Sequence, residues 1–413
     1  MRVMVFEPHH AGHHFMFLKH LLPAIIRLGI KPALVTTKSA AASPEFTGHL
    51  FPLRSQLELD TSVNPEPAGS VAPARHRLAE LSAAICRHQA EHIFVPNADG
   101  LVQWMGVVSA GMHWRPPAGA EIECNIISSS MLYPATSRSQ SIRRHLLQAV
   151  VSRARHILPT TIDAVGYQMT RRRRAPLSAR LRCLPETLGA IEPLAKIEAR
   201  RRLSIPADGR YIAMPGMIDE RKGSDTLIRA FLAAPLGEDD RLLLAGRVSP
   251  TIQQIIDQEA AHLVRSGRLI VLDGFLPDET IDAVVSAADV VTLLYRPGRP
   301  GPSNVVVRAA CCNRPVLCSK FAWAQEFVRL FGLGRLAEGT TPDQLGAEIA
   351  AALTEAPSYS RASSAARLLE FLRIENFQAA WTYRLACRIG AKPPQSRSWE
   401  WVLDPDSGIT ARP

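Results

Sequence analysis

Apolar residues in this chain fall in short runs bounded by glycine, proline and polar residues. Runs at 3–6, 32–36, 92–96 and 122–128 show little alternation, the pattern of strands covered on both faces. Between them, 15–28 and 78–91 have helical spacing. The pattern then restarts. Strands are predicted at 211–214, 241–245, 269–272, 290–294 and 316–319. Helices are predicted at 225–232, 252–266, 277–287, 304–312, 342–353 and 363–389. Strands alternating with helices indicate parallel sheets. Residues 184–195 hold two prolines and a glycine and separate the two series. The expected architecture is α/β: two Rossmann-like domains, 1–187 and 188–375, their parallel sheets facing a central cleft, then a helix at 376–390 and a tail at 391–413. Small ligands bind in clefts between such domains.

Composition narrows the class. Apolar residues make up 46% of 413 and charged residues 21%, the balance of a globular chain. No apolar run approaches the roughly 18–20 residues of a membrane helix. The opening MRVMVFEPHH does not read as a leader, so the expected location is cytoplasmic. Seven cysteines without a C-x-x-C pair read as small buried hydrophobes. Charge is unevenly placed. Residues 1–190 carry 21 Lys and Arg against 12 Asp and Glu, net +9, whereas 191–413 carry 27 against 26, net +1. A basic first half points to an anionic partner: a phosphorylated acceptor, a membrane surface or nucleic acid. The run Arg171 to Arg174 reads first as a solvated helix end and second as an anion-binding patch.

Two loops carry candidate chemistry. After the strand at 211–214 comes PGMIDERKGSD, spanning 215–225. Such a loop faces the ligand crevice. Arg221 and Lys222 would place two cations there, Gly223 permits a tight turn, and Ser224 or Asp225 can cap the next helix. This suits a diphosphate, although an Arg-Lys-Gly turn alone equally suits a plain surface turn. After the strand at 290–294 comes YRPGRPGPSN, spanning 295–304, which leads into a helix. Ser303 would be the N-cap, and the amides of Asn304, Val305 and Val306 would form an anion site beside Arg296 and Arg299.

Six segments in order, GMIDERKGSDTLIRAF, LLLAGR, LDGFLPDETI, AADVVTLLYR, RPVLCS and GLG, resemble the GT-B glycosyltransferases of family 4 (group 1). The similarity covers about 205–355. The Gly12-His13-His14 turn resembles the family's first loop. The resemblance implies that Lys222 binds the donor diphosphate and that Gly216 and Arg247 line the cleft. It further implies that the backbone near Phe275 and Leu276 holds the base and that Ser303, Asn304 and Val305 cradle the distal phosphate. Gly12 would let the first loop approach the donor closely. The family's arginine after the strand glycine is replaced by Met217, and its two glutamates by Pro300 and Arg308. Arg221, Arg296 or Arg308 would then supply the missing positive charge.

The implied activity is transfer of a sugar from a UDP or GDP sugar to a saccharide or lipid-linked hydroxyl. It resembles hexosyl transfer in polysaccharide biosynthesis, with retention, and it uses no metal or other cofactor. Expected partners are the donor, the acceptor and a membrane surface met by the basic half, with no nucleic acid. The alternatives are a sugar-nucleotide-binding protein without turnover and a GT-B sugar-nucleotide epimerase. Candidate catalytic residues are His14 and Asp99, each after a first-half strand. His9, His10, His13 and His14 read as a cleft loop before a metal site, and Asp99 also fits plain turn chemistry in Asn97-Ala98-Asp99-Gly100.

Overall fold

Runs without alternation become strands, and those inside the sheets are mostly covered, whereas β10 (Leu269–Leu272), at a sheet edge, is buried only at Leu269. Strand β1 (Val3–Phe6) is buried at all four positions, as a parallel strand between helical layers must be. The computed structural model describes residues 1–10, 14–65, 72–110, 116, 119–127, 131–133, 137–186, 191–296, 303–320 and 322–392. The chain forms two units, residues 1–187 with 371–413, and residues 188–370.

The first unit continues with β2 (Ala33–Thr37), β3 (Glu58–Val63), β4 (His92–Val95), β5 (Glu121–Asn125), β6 (Ile157–Thr161) and β7 (Arg182–Cys183). All its strand pairs are parallel, in the order β3-β2-β1-β4-β5-β6-β7. Its helices are α1 (His14–Ile26), α2 (Lys38–Ala41), α3 (Pro44–His49), α4 (Ala72–His88), α5 (Asp99–Ala110), α6 (Arg138–Arg153) and α7 (Ala164–Arg172).

The second unit has β8 (Arg210–Pro215), β9 (Asp240–Ala245), β10 (Leu269–Leu272), β11 (Val290–Leu293), β12 (Val316–Ser319) and β13 (Gly334–Ala337). They are again parallel, in the order β10-β9-β8-β11-β12-β13. The helices are α8 (Lys196–Arg202), α9 (Ser224–Ala233), α10 (Pro250–Glu259), α11 (Ala261–Arg265), α12 (Asp278–Ala287), α13 (Asn304–Cys311), α14 (Ala322–Phe331), α15 (Pro342–Glu355) and α16 (Ser363–Phe371). In each sheet the order reverses beside the first strand, between β1 and β4 and between β8 and β11. Ligands of open parallel sheets sit at that switch, outside the carboxyl ends of the strands.

The last helix, α17 (Ile374–Ile389), returns to the first unit. Phe377, Trp381 and Leu385 join Phe15, Phe17 and Leu21 in one core. The Phe17 and Phe377 rings meet edge to face at 5.2 Å. Arg384 adds a 2.5 Å bond to the buried Glu123 carboxylate of β5.

The helix expected over 363–389 is broken between Phe371 and Ile374, where the chain passes from the second unit to the first. The helix expected over 252–266 is interrupted at Ala260, and the break lets both Ile256 and Leu263 reach the core. Strands β3, β6, β7 and β13 lie outside the predicted runs. Of the expected tail, only Ala391 and Lys392 lie within the described residues. No helix among the described residues is long and apolar enough to cross a membrane.

Candidate functional site

In the second unit the loops after β8 and β11 occupy the switch point, and their backbones are tied together. Asp219 caps a short turn, Glu220–Lys222, by accepting from the Lys222 amide at 2.9 Å. Gly223 follows at φ +75°, and a Cβ there would overlap the carbonyl oxygen of Leu294 at the end of β11. The Arg296 amide then donates to the Arg221 carbonyl at 3.1 Å. Only glycine permits this close passage.

That turn sends the Lys222 side chain back over Gly216. Gly216 has φ +94°, and a Cβ on it would overlap the Lys222 ammonium. The ammonium lies 3.4 Å from the Pro215 carbonyl and 5.7 Å from the centre of the Tyr295 ring. An ammonium has three donors, and the Pro215 carbonyl is the one hydrogen-bond acceptor it meets among the described residues. Its remaining donors are free for an anion.

Beside it, α13 begins. Ser303 stands at the N-cap, but its hydroxyl makes no capping bond and lies 3.1 Å from the Tyr295 hydroxyl. The amides of Asn304 and Val305 have no partner within the helix, because the first turn of any helix leaves its donors open. An open helix N-terminus beside an ammonium attracts phosphate. Arg247, after β9, is exposed, and its guanidinium meets no carboxylate among the described residues. Phe275, after β10, is 88% exposed, and Leu276 is half-buried.

The other candidate cations among the described residues are occupied, and Arg299 lies outside the described residues. Arg221 pairs with Asp219 at 3.3 Å and Arg296 with Asp225 at 2.5 Å. Arg308 lies between Asp278, at 2.6 Å, and Asp282, and so joins α13 to α12. Burial pushes the Asp282 carboxyl up, and Arg308 only partly offsets the shift. One of these three arginines was expected to supply the positive charge missing where Met217 replaces the family's arginine. Each has a carboxylate partner, which leaves Lys222 and Arg247 as the uncommitted candidate cations among the described residues. Position 300, the other site of glutamate loss, lies outside the described residues.

In the first unit the candidates again follow β1 and β4. Glu7, directly after β1, is 1% exposed, and its carboxylate lies 2.9 Å from Nδ1 of His14 at the start of α1. It also accepts from the His9 amide at 3.1 Å. The sequence does not mark Glu7 as a site residue; its only signal is its place directly after a buried strand. Burial of the His14 ring opposes its charged form, but the Glu7 hydrogen bond and charge prevail and raise its pKa. His9, His10, Asn64, His76 and Arg77 line a hollow of about 210 Å³ alongside. Gly12 and His13 lie outside the described residues. Among the described residues no three His, Cys, Asp or Glu side chains gather as metal ligands.

Asp99 opens α5, and its carboxylate accepts from the Ile127 amide at 3.0 Å, which fixes the loop after β5. Deeper in this unit Asp163 accepts from the Tyr133 hydroxyl and from the Gly166 amide. Its burial outweighs these bonds and raises its pKa to about 6.

The Glu7–His14 pair makes stability pH-dependent. A histidine with a raised folded pKa contributes fully below its unfolded value, near 6.5, and the contribution disappears as pH rises through the folded value. The wild type should exceed Glu7→Gln by about 1–2 kcal/mol at low pH, on the scale of a charge-assisted hydrogen bond. Urea melts from about pH 6 to about pH 8 should show that margin shrinking. A margin constant with pH would mean that His14 is uncharged throughout.

Residues 195–369, nearly all of the second unit, match the family described as glycosyl transferases group 1. No curated protein matches the chain in sequence. Solved structures are similar over nearly the whole chain. Sucrose-phosphate synthase from Thermosynechococcus elongatus is 18% identical, covers 94% of this chain and 98% of its own, and has a TM-score of 0.66. HepE of Anabaena, solved in complex with UDP, is 15% identical, with 94% and 100% covered and a TM-score of 0.63. WaaG, a glycosyltransferase involved in lipopolysaccharide biosynthesis, is 14% identical, with 94% and 100% covered and a TM-score of 0.62. The chain thus has the two-unit GT-B fold, and its second unit matches the glycosyl transferases of group 1.

Proposed function

We propose that the protein transfers a sugar from a nucleoside-diphosphate sugar to a hydroxyl of a saccharide or lipid-linked acceptor. One observation carries this: the Lys222 ammonium, with donors to spare, stands at the switch point beside the open end of α13. As the bond from the anomeric carbon to the diphosphate breaks, charge grows on the leaving oxygen. Lys222, Arg247 and the amides of Asn304 and Val305 stabilise that charge without having to reorganise. A phosphate oxygen of the donor takes the acceptor's proton, and the configuration is retained. Phe275, exposed after β10, offers its backbone and ring to the base. In the first unit, His14 and Asp99 serve the sugar and the acceptor. HepE has been solved with UDP and with UDP-glucose, so UDP-sugars are the first donors to test.

Protein cations fill the role that a divalent ion would otherwise have. Diphosphate release from a panel of nucleotide sugars, with a saccharide or lipid-linked acceptor extract, is expected to persist in EDTA. Loss in EDTA and recovery with a divalent ion would return the histidine loop to consideration as a metal site. A sugar-nucleotide-binding protein without turnover is the alternative, favoured by Arg308, which is fixed by Asp278 and Asp282 where the family resemblance places a glutamate. Nucleotide binding without diphosphate release for any donor would select that alternative.

A further inference from the structure

A nucleoside diphosphate has three parts, and the second unit so far accounts for two of them. Phe275 and Leu276, after β10, offer a seat for the base, and Lys222 with the amides of Asn304 and Val305 offers one for the diphosphate. The pentose joins base to phosphate. It therefore falls between the loop after β10 and the first turn of α13. Two charged side chains meet there. Asp278 opens α12, directly after that loop, and Arg308 stands on α13, one turn beyond Asn304. Nη2 of Arg308 donates to Oδ1 of Asp278 at 2.6 Å.

Arg308 has little left to offer a ligand. Its side chain is 11% exposed, and its Nη1 donates to Asp282 and, at 3.3 Å, to the Asp278 carbonyl. Asp282 is buried on α12 and by itself balances the Arg308 charge. Asp278 is thus a second carboxylate on one guanidinium, and it is open: its side chain is 69% exposed. Its Oδ2 meets no donor among the described residues. Such a carboxylate only accepts, and pentose hydroxyls can donate. A surplus negative charge near a diphosphate seat costs affinity unless the ligand brings donors to it. Acidic side chains take ribose hydroxyls in this way at other nucleotide sites of parallel α/β sheets.

We propose that Asp278 recognises the ribose of the donor, with Oδ2 accepting from one of its vicinal hydroxyls while Arg308 holds Oδ1. The recognition comes from α12, because at this place α13 offers only a guanidinium already spent on carboxylates. The inference rests on the nucleoside-diphosphate donor of the transferase reading, and adds that this donor is a ribonucleotide.

The test is titration calorimetry of the full chain with UDP and GDP and with their 2′-deoxy and 3′-deoxy forms. For the base that binds, removal of at least one hydroxyl should weaken wild-type binding about tenfold or more, the scale of a hydrogen bond to a charged group. In Asp278→Ala the ribose form should lose that advantage, so that ribose and deoxyribose forms bind within about twofold of each other. The ratio is the informative quantity, since loss of a negative charge shifts the affinity of every diphosphate together. Glu279→Ala removes a neighbouring exposed charge and should leave the ratio at its wild-type value. An aspartate in the first turn of a helix also favours the helix dipole. A purely structural Asp278 would lower the melting temperature on substitution and leave the ratio unchanged. Equal wild-type affinity for ribose and both deoxyribose forms overturns the proposal, as does a ribose preference that survives Asp278→Ala or disappears equally in Glu279→Ala. Each of these leaves the transferase reading standing. A wild type that binds neither diphosphate overturns both.

Discussion

Lys222→Ala should weaken the binding of a nucleoside diphosphate by about 2 kcal/mol, roughly thirtyfold, which is the value of a hydrogen bond to a charged group. The side chain makes few structural contacts. Its ammonium meets one carbonyl at 3.4 Å and one ring at 5.7 Å, so the fold has little to lose. Melting of the variant should therefore match the wild type while affinity falls. The effect should be nearly absent for the free nucleoside, which has no phosphate to meet the ammonium. Arg221→Ala is the internal control, because Arg221 already pairs with Asp219. A Lys222→Ala variant with unchanged affinity for every nucleoside diphosphate would remove the residue from the site.

Gly223→Ala should be the most destabilising single change in the site. Two costs combine at this position. The left-handed backbone, φ +75° and ψ 28°, strains any residue with a Cβ. The added carbon would also overlap the Leu294 carbonyl oxygen, so the loop after β8 must move away from β11. Strain and overpacking of this kind each cost about 1–3 kcal/mol, so a total of about 3 kcal/mol is expected from the midpoint of urea unfolding. Nucleotide affinity should fall as well, because Lys222 is carried on the displaced turn. A loss below about 0.5 kcal/mol, typical of an ordinary surface substitution, would show that the turn accommodates the carbon.

What was legible in the sequence depended on where each signal is stored. Strands β1, β11 and β12 are short, largely apolar runs, VMVF, VVTL and VLCS, and such runs announce a buried parallel strand. Strand β6 reads ILPTT, with a proline inside it, and β3 reads ELDTSV at the sheet edge; each is a strand because of its neighbour's ladder rather than its own propensity. Strand β7 has only two residues, and β13 opens on a glycine. Lys222 was legible because a local motif carries it, a strand followed by a cationic turn and a glycine. The occupation of Arg296 and Arg308 was not. Their partners Asp225, Asp278 and Asp282 lie tens of residues away, in other elements, and no spacing rule joins them. The Glu7–His14 pair is hidden for a similar reason, since one residue follows β1 and the other opens α1.

The central claim is a diphosphate seat at the switch point of the second unit. Titration calorimetry of the full wild-type chain with UDP, UMP and uridine, and with the guanosine series, tests it most directly. The expected result is that one base series binds, and that within it the diphosphate is tighter than the monophosphate by at least about tenfold, with the free nucleoside weakest. Equal affinity for diphosphate, monophosphate and nucleoside, or no binding of either diphosphate, would contradict it.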